Sequence, residues 1–240
     1  MITLKADFHI HTCLSPCGDL DMTPKAIVEN SLEKGLDLIA VCDHNSAENA
    51  EATIRMGLKK GLKVLPGLEV CSREEVHSLA IFESADQALK MQEIVYSHLK
   101  GTNRPEFFGD QVVANEFDEV EGFNDHLLIG ASGLGLLEVI DNVHKLGGIS
   151  IASHVDRPSF SVMSQLGFIP KDLPLDGIEI SQITKFEEIS AMTDLPVMTF
   201  SDAHFIKDIG RVHTEFYVET ASLGEIKMAL KGESGRKIGV

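Results

Sequence analysis

Short runs of aliphatic and β-branched residues alternate along this chain with longer stretches whose apolar residues recur at helical spacing. Leu4 to Ile10 reads as the first strand. Thr23 and Pro24 open a helix, the threonine as N-cap and the proline at the first helical position, and Gly35 ends it. Asp37 to Cys42 predicts a second strand and Ala47 to Lys60 a helix stopped by Gly61. Leu62 to Val70 and Val76 to Phe82 follow as the third and fourth strands. Ala85 to Leu99 and Leu136 to Leu146 have helical spacing. Ile149 to Ser153, Gly177 to Ile180, Val197 to Ser201 and Glu215 to Glu219 predict further strands, and Leu223 to Leu230 a last helix. Strands alternating with helices argue for parallel strands in a closed or nearly closed β/α barrel. No Gly-x-Gly-x-x-Gly follows the first strand and no P-loop occurs, so a Rossmann sheet suits the pattern less well.

Residues 101–133 break this rhythm. Gln111 to Ala114 and His126 to Ile129 predict two strands flanking the acidic stretch Asn115 to Asp125. This reads as a β-hairpin-like insertion beside the barrel, with its acidic run a solvated turn. Residues 1–240 thus form one barrel domain, and 240 residues with 43% hydrophobic content supply a substantial core. No apolar run approaches the ~20 residues that span a bilayer. Met1 to His11 lacks the apolar core of a signal peptide, so the expectation is a cytoplasmic protein with no membrane partner.

The formal charge of −16, from 37 acidic and 21 basic residues, comes without a basic stripe. Long nucleic acid is therefore not an expected partner, although bound cations would reverse the sign locally. Cys13, Cys17, Cys42 and Cys71 are not expected to form disulfides. The Cys13-x-x-x-Cys17 spacing has no matching second pair, which argues against a separate zinc ribbon. Cys42 and Cys71 each follow an apolar run and read as small buried thiols. Oligomeric state is not specified by these features.

Chemistry concentrates at strand ends. Asp7-Phe-His9-Ile-His11 closes the first strand, with alternation placing Asp7, His9 and His11 on one face. Asp43-His44 closes the second strand and Glu69 the third. His77 stands near the start of the fourth apolar run, so either that run begins in the site or its strand is antiparallel. His154 ends the Ile149 strand, and Asp202-Ala-His204 follows another. Parallel barrels gather their working residues at the C-terminal ends of strands. His98, His126, His144 and His213 follow no such pattern. Histidine and carboxylate donors together suit Zn²⁺, Mn²⁺ or Fe²⁺, whereas Mg²⁺ and Ca²⁺ prefer all-oxygen sites.

These segments, Asp7-Phe-His9-Ile-His11-Thr12, Val41-Cys-Asp43-His44, Gly67-Leu-Glu69-Val, Ser153-His154 and Ser201-Asp202-Ala-His204, occur in the order of the motifs of the PHP (polymerase and histidinol phosphatase) phosphoesterases, which the chain resembles from residue 7 to residue 204. The resemblance implies an α/β fold, a distorted TIM-like (β/α)₇ barrel carrying two or three divalent metal ions. It implies that His9, His11, Glu69 and Asp202 hold one ion, that Glu69 bridges to a second held by His77 and His154, and that Asp19, His44 and His204 hold the third. Asp21 is a rival to Asp19, because the loop Ser15-Pro16-Cys17-Gly18 departs from the family pattern.

The expected activity is metal-dependent hydrolysis of a small phosphate ester, such as a nucleotide or a histidinol-phosphate-like metabolite. Asp202, His204 and His154 are the candidate catalytic residues. Asp202 or Asp43 would orient the hydroxide, although Asp43 could equally fix the ring of a ligand histidine. Arg157 and Arg211, each after a ligand motif, are the candidate phosphate-binding residues, with Arg73 a weaker third. The alternatives are a 3′–5′ exonuclease or phosphodiesterase on short oligonucleotides and a metal-binding module without turnover. Amidohydrolase chemistry usually recruits a lysine at a strand end, and none is so placed.

Overall fold

The computed structural model describes residues 1–239. Eleven strands form: β1 (Ile2–Ile10), β2 (Leu38–His44), β3 (Lys63–Cys71), β4 (His77–Ile81), β5 (Val112–Ala114), β6 (Val120–Phe123), β7 (Ile149–Ala152), β8 (Gly177–Ile180), β9 (Val197–Thr199), β10 (Thr214–Val218) and β11 (Lys237–Gly239). Nine belong to one strongly curled sheet in the order β11-β10-β1-β2-β3-β4-β7-β8-β9, and β5 and β6 pair separately. This is a distorted half-barrel of the TIM-like kind. Helices α1 (Pro24–Glu33), α2 (Ala50–Lys60) and α3 (Ala85–Tyr96) pack their apolar faces on the outside of β1 to β4. Their ends are set locally. Thr23 Oγ1 accepts the Ala26 N–H ahead of Pro24, Gly61 ends α2 in a left-handed conformation, and Ser84 and Gln87 cap α3 reciprocally.

Parallel pairing joins β1 to β2 to β3 and β7 to β8 to β9, but β4 runs antiparallel to both its neighbours. The five residues between β3 and β4 are too few for a crossover, so the chain must return as a hairpin. Of the two alternatives open for the run that begins at His77, the antiparallel strand is the one that forms. The reversal places the first residue of β4, His77, opposite Cys71 at the end of β3. β10 is antiparallel to β1 as well, lying between β1 and β11 at one edge of the sheet.

The curl is pinched shut at one end. His11 N–H donates to the Ala203 carbonyl at 2.9 Å, and Ala203 N–H donates to the His9 carbonyl at 3.1 Å. Asp7, buried beside this seam, accepts the N–H groups of Ser201 and Gly210 at 3.0 Å each. Its carboxylate therefore ties β1 to the segment after β9 and does not share a face with the two histidines. The cause is a bulge, since β1 advances three residues from Asp7 to Ile10 while β2 advances two. Below the pinched end, Phe8 packs at 5.1 Å from Phe200 and 5.5 Å from Phe216, ring centre to ring centre, within the interior apolar cluster.

The insertion is a hairpin, but with a different second strand. Val120–Phe123 pairs with Val112–Ala114, while His126 makes only one bridge, to Thr102. Asn115 sets the turn: its side-chain oxygen accepts the N–H groups of Phe117 at 2.9 Å and Glu119 at 3.1 Å. The acidic stretch thus folds back on itself early, and Asp118, Glu119 and Glu121 face solvent. The hairpin docks through Asn49, which donates to the Val112 carbonyl at 3.0 Å and accepts the Ala114 N–H at 2.9 Å.

Gly67 lets β2, β3 and β4 close on one another two residues before Glu69. A methyl group added there would stand 2.6 Å from Cys42 Sγ and 2.9 Å from the Ala80 carbonyl oxygen. Gly67→Ala is expected to lower stability by about 1–3 kcal/mol. Urea unfolding of the two proteins checks this; an unchanged midpoint would mean that the strands have room to part.

Candidate metal centre

Six histidines and two carboxylates meet at the pinched end of the barrel. His9 and His11 come from β1, His44 from the end of β2, Glu69 from β3, His77 from the start of β4, His154 from beyond β7, and Asp202 and His204 from beyond β9. Glu69, 1% exposed, is the hub. One oxygen lies 3.2 Å from His9 Nε2, 3.1 Å from His77 Nδ1 and 3.2 Å from His154 Nε2; the other lies 3.1 Å from His44 Nδ1 and 3.6 Å from His11 Nε2. Asp202 Oδ1 stands 3.1 Å from His11 Nε2 and 3.3 Å from His9 Nε2.

Three groups have donor atoms within 4.8 Å of one another: His9, His11 and Asp202; His44, Glu69 and His77; and His11, His44 and His204. Such clusters fit a centre of several ions. Two further observations support the fit. His77 Nδ1 and Asp202 Oδ1 are buried close to partners of opposite polarity, yet neither makes a hydrogen bond of acceptable geometry. Likewise, His9 Nε2 and His11 Nε2 face each other at 3.1 Å. Lone pairs crowded in this way are aimed at a shared point and not at each other.

The electrostatics divide the cluster: against burial, Glu179 raises His9 and Cys17 raises His44 and His204, while the other groups shift toward metal-binding forms. Burial opposes the charge on Glu69, but the surrounding His77 and His9 outweigh it and hold the carboxyl well below its usual range. Asp202 is held low against burial by His9 and His11. Burial, aided by the neighbouring His204, pushes His11 down toward the neutral ring, and burial also lowers His77. Ionised carboxylates and neutral imidazoles are the forms that bind metal.

Two supporting carboxylates hold the rings in place. Glu179, wholly buried on β8, stands 2.9 Å from His9 Nδ1 and accepts the His154 N–H at 3.2 Å. Asp43 accepts Thr12 N–H, Thr12 Oγ1–H and Ser15 Oγ–H at 2.6 to 2.7 Å, and Ser15 Oγ is 2.9 Å from His11 Nδ1. Asp43 is thus linked to the His11 ring through Ser15, the contact that the second of its two expected roles requires. Glu179 is absent from the sequence reading, although a lone carboxylate inside the apolar strand Gly177–Ile180 is a signal for it. Left-handed backbone at Asn45, His154 and Asp202 turns the chain sharply where strands meet the site.

A cleft of about 200 Å³ opens over the cluster, walled by Ile129, Arg157, Ser159 and Phe160. Phe160 stacks on His77 at 4.8 Å, and its carbonyl accepts the His77 N–H at 2.9 Å. Ile129 belongs to the insertion, held there by Asn45, whose amide donates to the Leu128 and Gly130 carbonyls at 2.8 Å. Arg157 pairs with Asp202 at 2.5 Å and donates to Ser181 Oγ at 3.0 Å. Arg211 does not line the cleft; it is 58% exposed, stands 4.0 Å from Asp208 and donates to the Ser201 carbonyl at 3.4 Å. Arg73 lies outside as well, beside Glu74.

Of the nine expected ligands, Asp19 alone is not drawn in. Its carboxylate accepts the Asp21 N–H at 2.9 Å, and Asp21 itself is exposed. Cys17 stands at the rim instead, with Sγ 3.2 Å from His204 Nε2 and against His44. Burial would raise its thiol, but hydrogen bonding to His204 and His44 brings it down to about 6. Cys13 points away, toward the Val112 carbonyl.

A family model described as the PHP domain matches residues 7–222. YqxK of Bacillus subtilis (strain 168) is 32% identical over 110 residues, which are 42% of this chain and 28% of that protein. Among solved structures, the lesion-specific endonuclease PfuEndoQ from Pyrococcus furiosus superposes with a TM-score of 0.72 at 23% identity, over 99% of this chain and 58% of its own. A proposed metal-dependent phosphoesterase from Bifidobacterium adolescentis superposes with a TM-score of 0.59 at 19% identity, covering 83% and 87%. The chain thus spans well under two thirds of YqxK and of the endonuclease.

Because Glu179 holds the His9 ring, Glu179→Gln is expected to weaken metal binding by roughly 10–100-fold while the fold persists. Competition titration against a metal-indicator dye reads this directly. Wild-type affinity in the variant would show that His9 needs no carboxylate behind it.

Proposed function

This chain belongs to the PHP domain family of metal-dependent phosphoesterases, and from that premise we propose that it hydrolyses small phosphate esters, such as nucleotide or metabolite monophosphates. The observation that carries this reading is the convergence of six histidines with Glu69 and Asp202 at the floor of a cleft flanked by one arginine. His9, His11, Glu69 and Asp202 would hold one ion, Glu69, His77 and His154 a second, and His44 and His204 contribute to a third. Zn²⁺, Mn²⁺ and Fe²⁺ suit this donor set. Ions bound there supply a water acidic enough to be deprotonated near neutral pH and positive charge toward the phosphate oxygens.

The protein's own residues do the rest. Arg157, paired with Asp202 and partly exposed to the cleft, binds a free phosphate oxygen and fixes the ester against the floor. Asp202, kept ionised, faces the same space and orients the attacking water. His154 and His204 act by holding ions. Phe160 and Ile129 wall the cleft against bulk water and contact the alcohol part of the ester. The cleft's size, below the roughly 300 Å³ of common ligand pockets, supports a compact substrate.

Chelation is expected to abolish phosphatase activity and added Mn²⁺ or Zn²⁺ to restore it; full activity in demonstrably metal-free protein would sink the mechanism. Arg157→Ala should lower kcat/KM about 10²-fold with metal content intact. Arg211→Ala, removed from the cleft, should stay near wild type. Steady-state kinetics with metal analysis decides both. Across mononucleotide, dinucleotide and long single-stranded DNA at fixed ionic strength, kcat/KM should fall with length. A rising series would favour a phosphodiesterase acting on nucleic acid.

A further inference from the structure

The loop between β1 and α1 presents sulfur, not oxygen, to the third ion's position. Asp19 spends its carboxylate inside the loop, on the Asp21 N–H, and its own N–H donates to the His204 carbonyl at 2.9 Å. Two residues earlier, Cys17 brings Sγ to 3.2 Å from His204 Nε2 and lies against the His44 ring. His44 and His204 already belong, with His11, to a group whose donor atoms converge within 4.8 Å. His11 Nε2 faces Asp202 at 3.1 Å and His44 Nδ1 faces Glu69 at 3.1 Å, so both also serve the inner side of the cluster and the rim lacks a donor of its own beside His204.

The loop is built to hold the thiol there. Gly18 N–H donates to the Ser15 carbonyl at 2.8 Å, and a methyl group on Gly18 would stand 2.6 Å from the Thr12 carbonyl oxygen. Only glycine allows the turn to close this tightly against the end of β1. Cys13 N–H donates to the Met22 carbonyl at 2.8 Å, which fastens the other side of the loop. The two cysteines of the Cys-x-x-x-Cys segment are thereby separated, one buried toward the hairpin and one exposed at the rim of the site.

We propose that Cys17, as a thiolate, is a ligand of the outermost ion together with His44 and His204, in the position expected of Asp19. The inference rests on the multi-ion reading of the site. Binding forms a sulfur–metal bond and releases to solvent the protons that Cys17, His44 and His204 share, without any redox change. It gives the centre two chemically different parts: an inner part of nitrogen and oxygen donors, and an outer part with nitrogen and sulfur. A soft thiolate selects Zn²⁺, Co²⁺ or Fe²⁺ over Mn²⁺ and Mg²⁺, so the outer position should be the more discriminating one.

Cobalt replacement tests this on the full chain. Loaded with Co²⁺, the wild-type protein should show a near-ultraviolet sulfur-to-cobalt charge-transfer band. The band should be lost in Cys17→Ala and Cys17→Asp and kept in Cys13→Ala. X-ray absorption of the wild-type zinc form, which needs no variant, should contain a Zn–S distance of about 2.3 Å. Cys17→Asp should also shift the outer ion's preference from Zn²⁺ toward Mn²⁺ in competition titrations. A cobalt-loaded wild type with nitrogen and oxygen donors only, or a band that survives Cys17→Ala, would overturn the assignment. Phosphate-ester turnover, assayed on the same samples, separates the two readings: a sulfur band without turnover refutes the phosphoesterase and leaves Cys17 as a ligand. Turnover with no sulfur band does the reverse.

Discussion

A single buried carboxylate sets the terms for this fold. Glu69 is surrounded by His9, His11, His44, His77 and His154, all within 3.6 Å, at 1% exposure. A charge in that position is tolerable only if its neighbours supply compensating positive charge, whether as ions or as protonated rings. These neighbours arrive from four strands or strand ends, β1, β2, β4 and the segment after β7, so the requirement cannot be met locally. The curl of the sheet, the reversal of β4 and the seam between β1 and the segment after β9 are the three features that bring the five rings to one point. Removing any of them would leave Glu69 facing a gap.

The strand ends pay for this convergence in backbone conformation. Asn45, His154 and Asp202 all have positive φ without being glycine, a conformation costing about 1–3 kcal/mol each. Two of the three are members of the cluster and the third follows His44. Hydrogen bonds over-determine these turns: Asn45 Nδ2 donates to the Leu128 and Gly130 carbonyls, Glu179 accepts the His154 N–H, and Asp7 anchors Ser201 beside Asp202. The buried carboxylates that hold no ion thus do mechanical work, keeping strained residues aimed inward.

What could be read from the sequence follows from the range of each interaction. Most of the sheet's strands, the helix starts at Thr23 and Ala85, and the polar residues closing β1, β2 and β3 are written in local spacing, so they were legible, whereas β11 was not. The gathering of His9, His11, His44, Glu69 and His154 was legible from their placement at strand ends, whereas which of them share an ion rested on a resemblance. The bulge in β1 was invisible, because it is defined by the register against β2; it moves Asp7 from the histidines' face to the seam. The second hairpin strand was placed late because the Asn115 turn competes with an acidic run that looks like one long loop. Glu179 and Cys17 escaped for a common reason. Neither has a neighbour in sequence that shares its task, and their partners His9 and His204 lie 170 and 187 residues away.

Charge and shape both favour the compact ester that we propose as substrate. With 37 acidic against 21 basic residues, the surface as a whole repels polyanions, and the cleft adds only Arg157 among its lining residues. A polynucleotide gains affinity by neutralising many phosphates along its length, and the proposed preference for a small ester rests on the cleft offering one arginine for that task. A compact ester needs only one phosphate to be met. Its charge can be matched by ions at the floor and by Arg157, while its organic part rests on Phe160 and Ile129. Because Ile129 reaches the cleft from the insertion, and the insertion is held by Asn45 and Asn49 beside the metal-ligand loops, the wall that selects the substrate and the loops that position the ligands are one connected unit. Changes in the insertion should therefore alter which ester is accepted before they alter whether hydrolysis occurs.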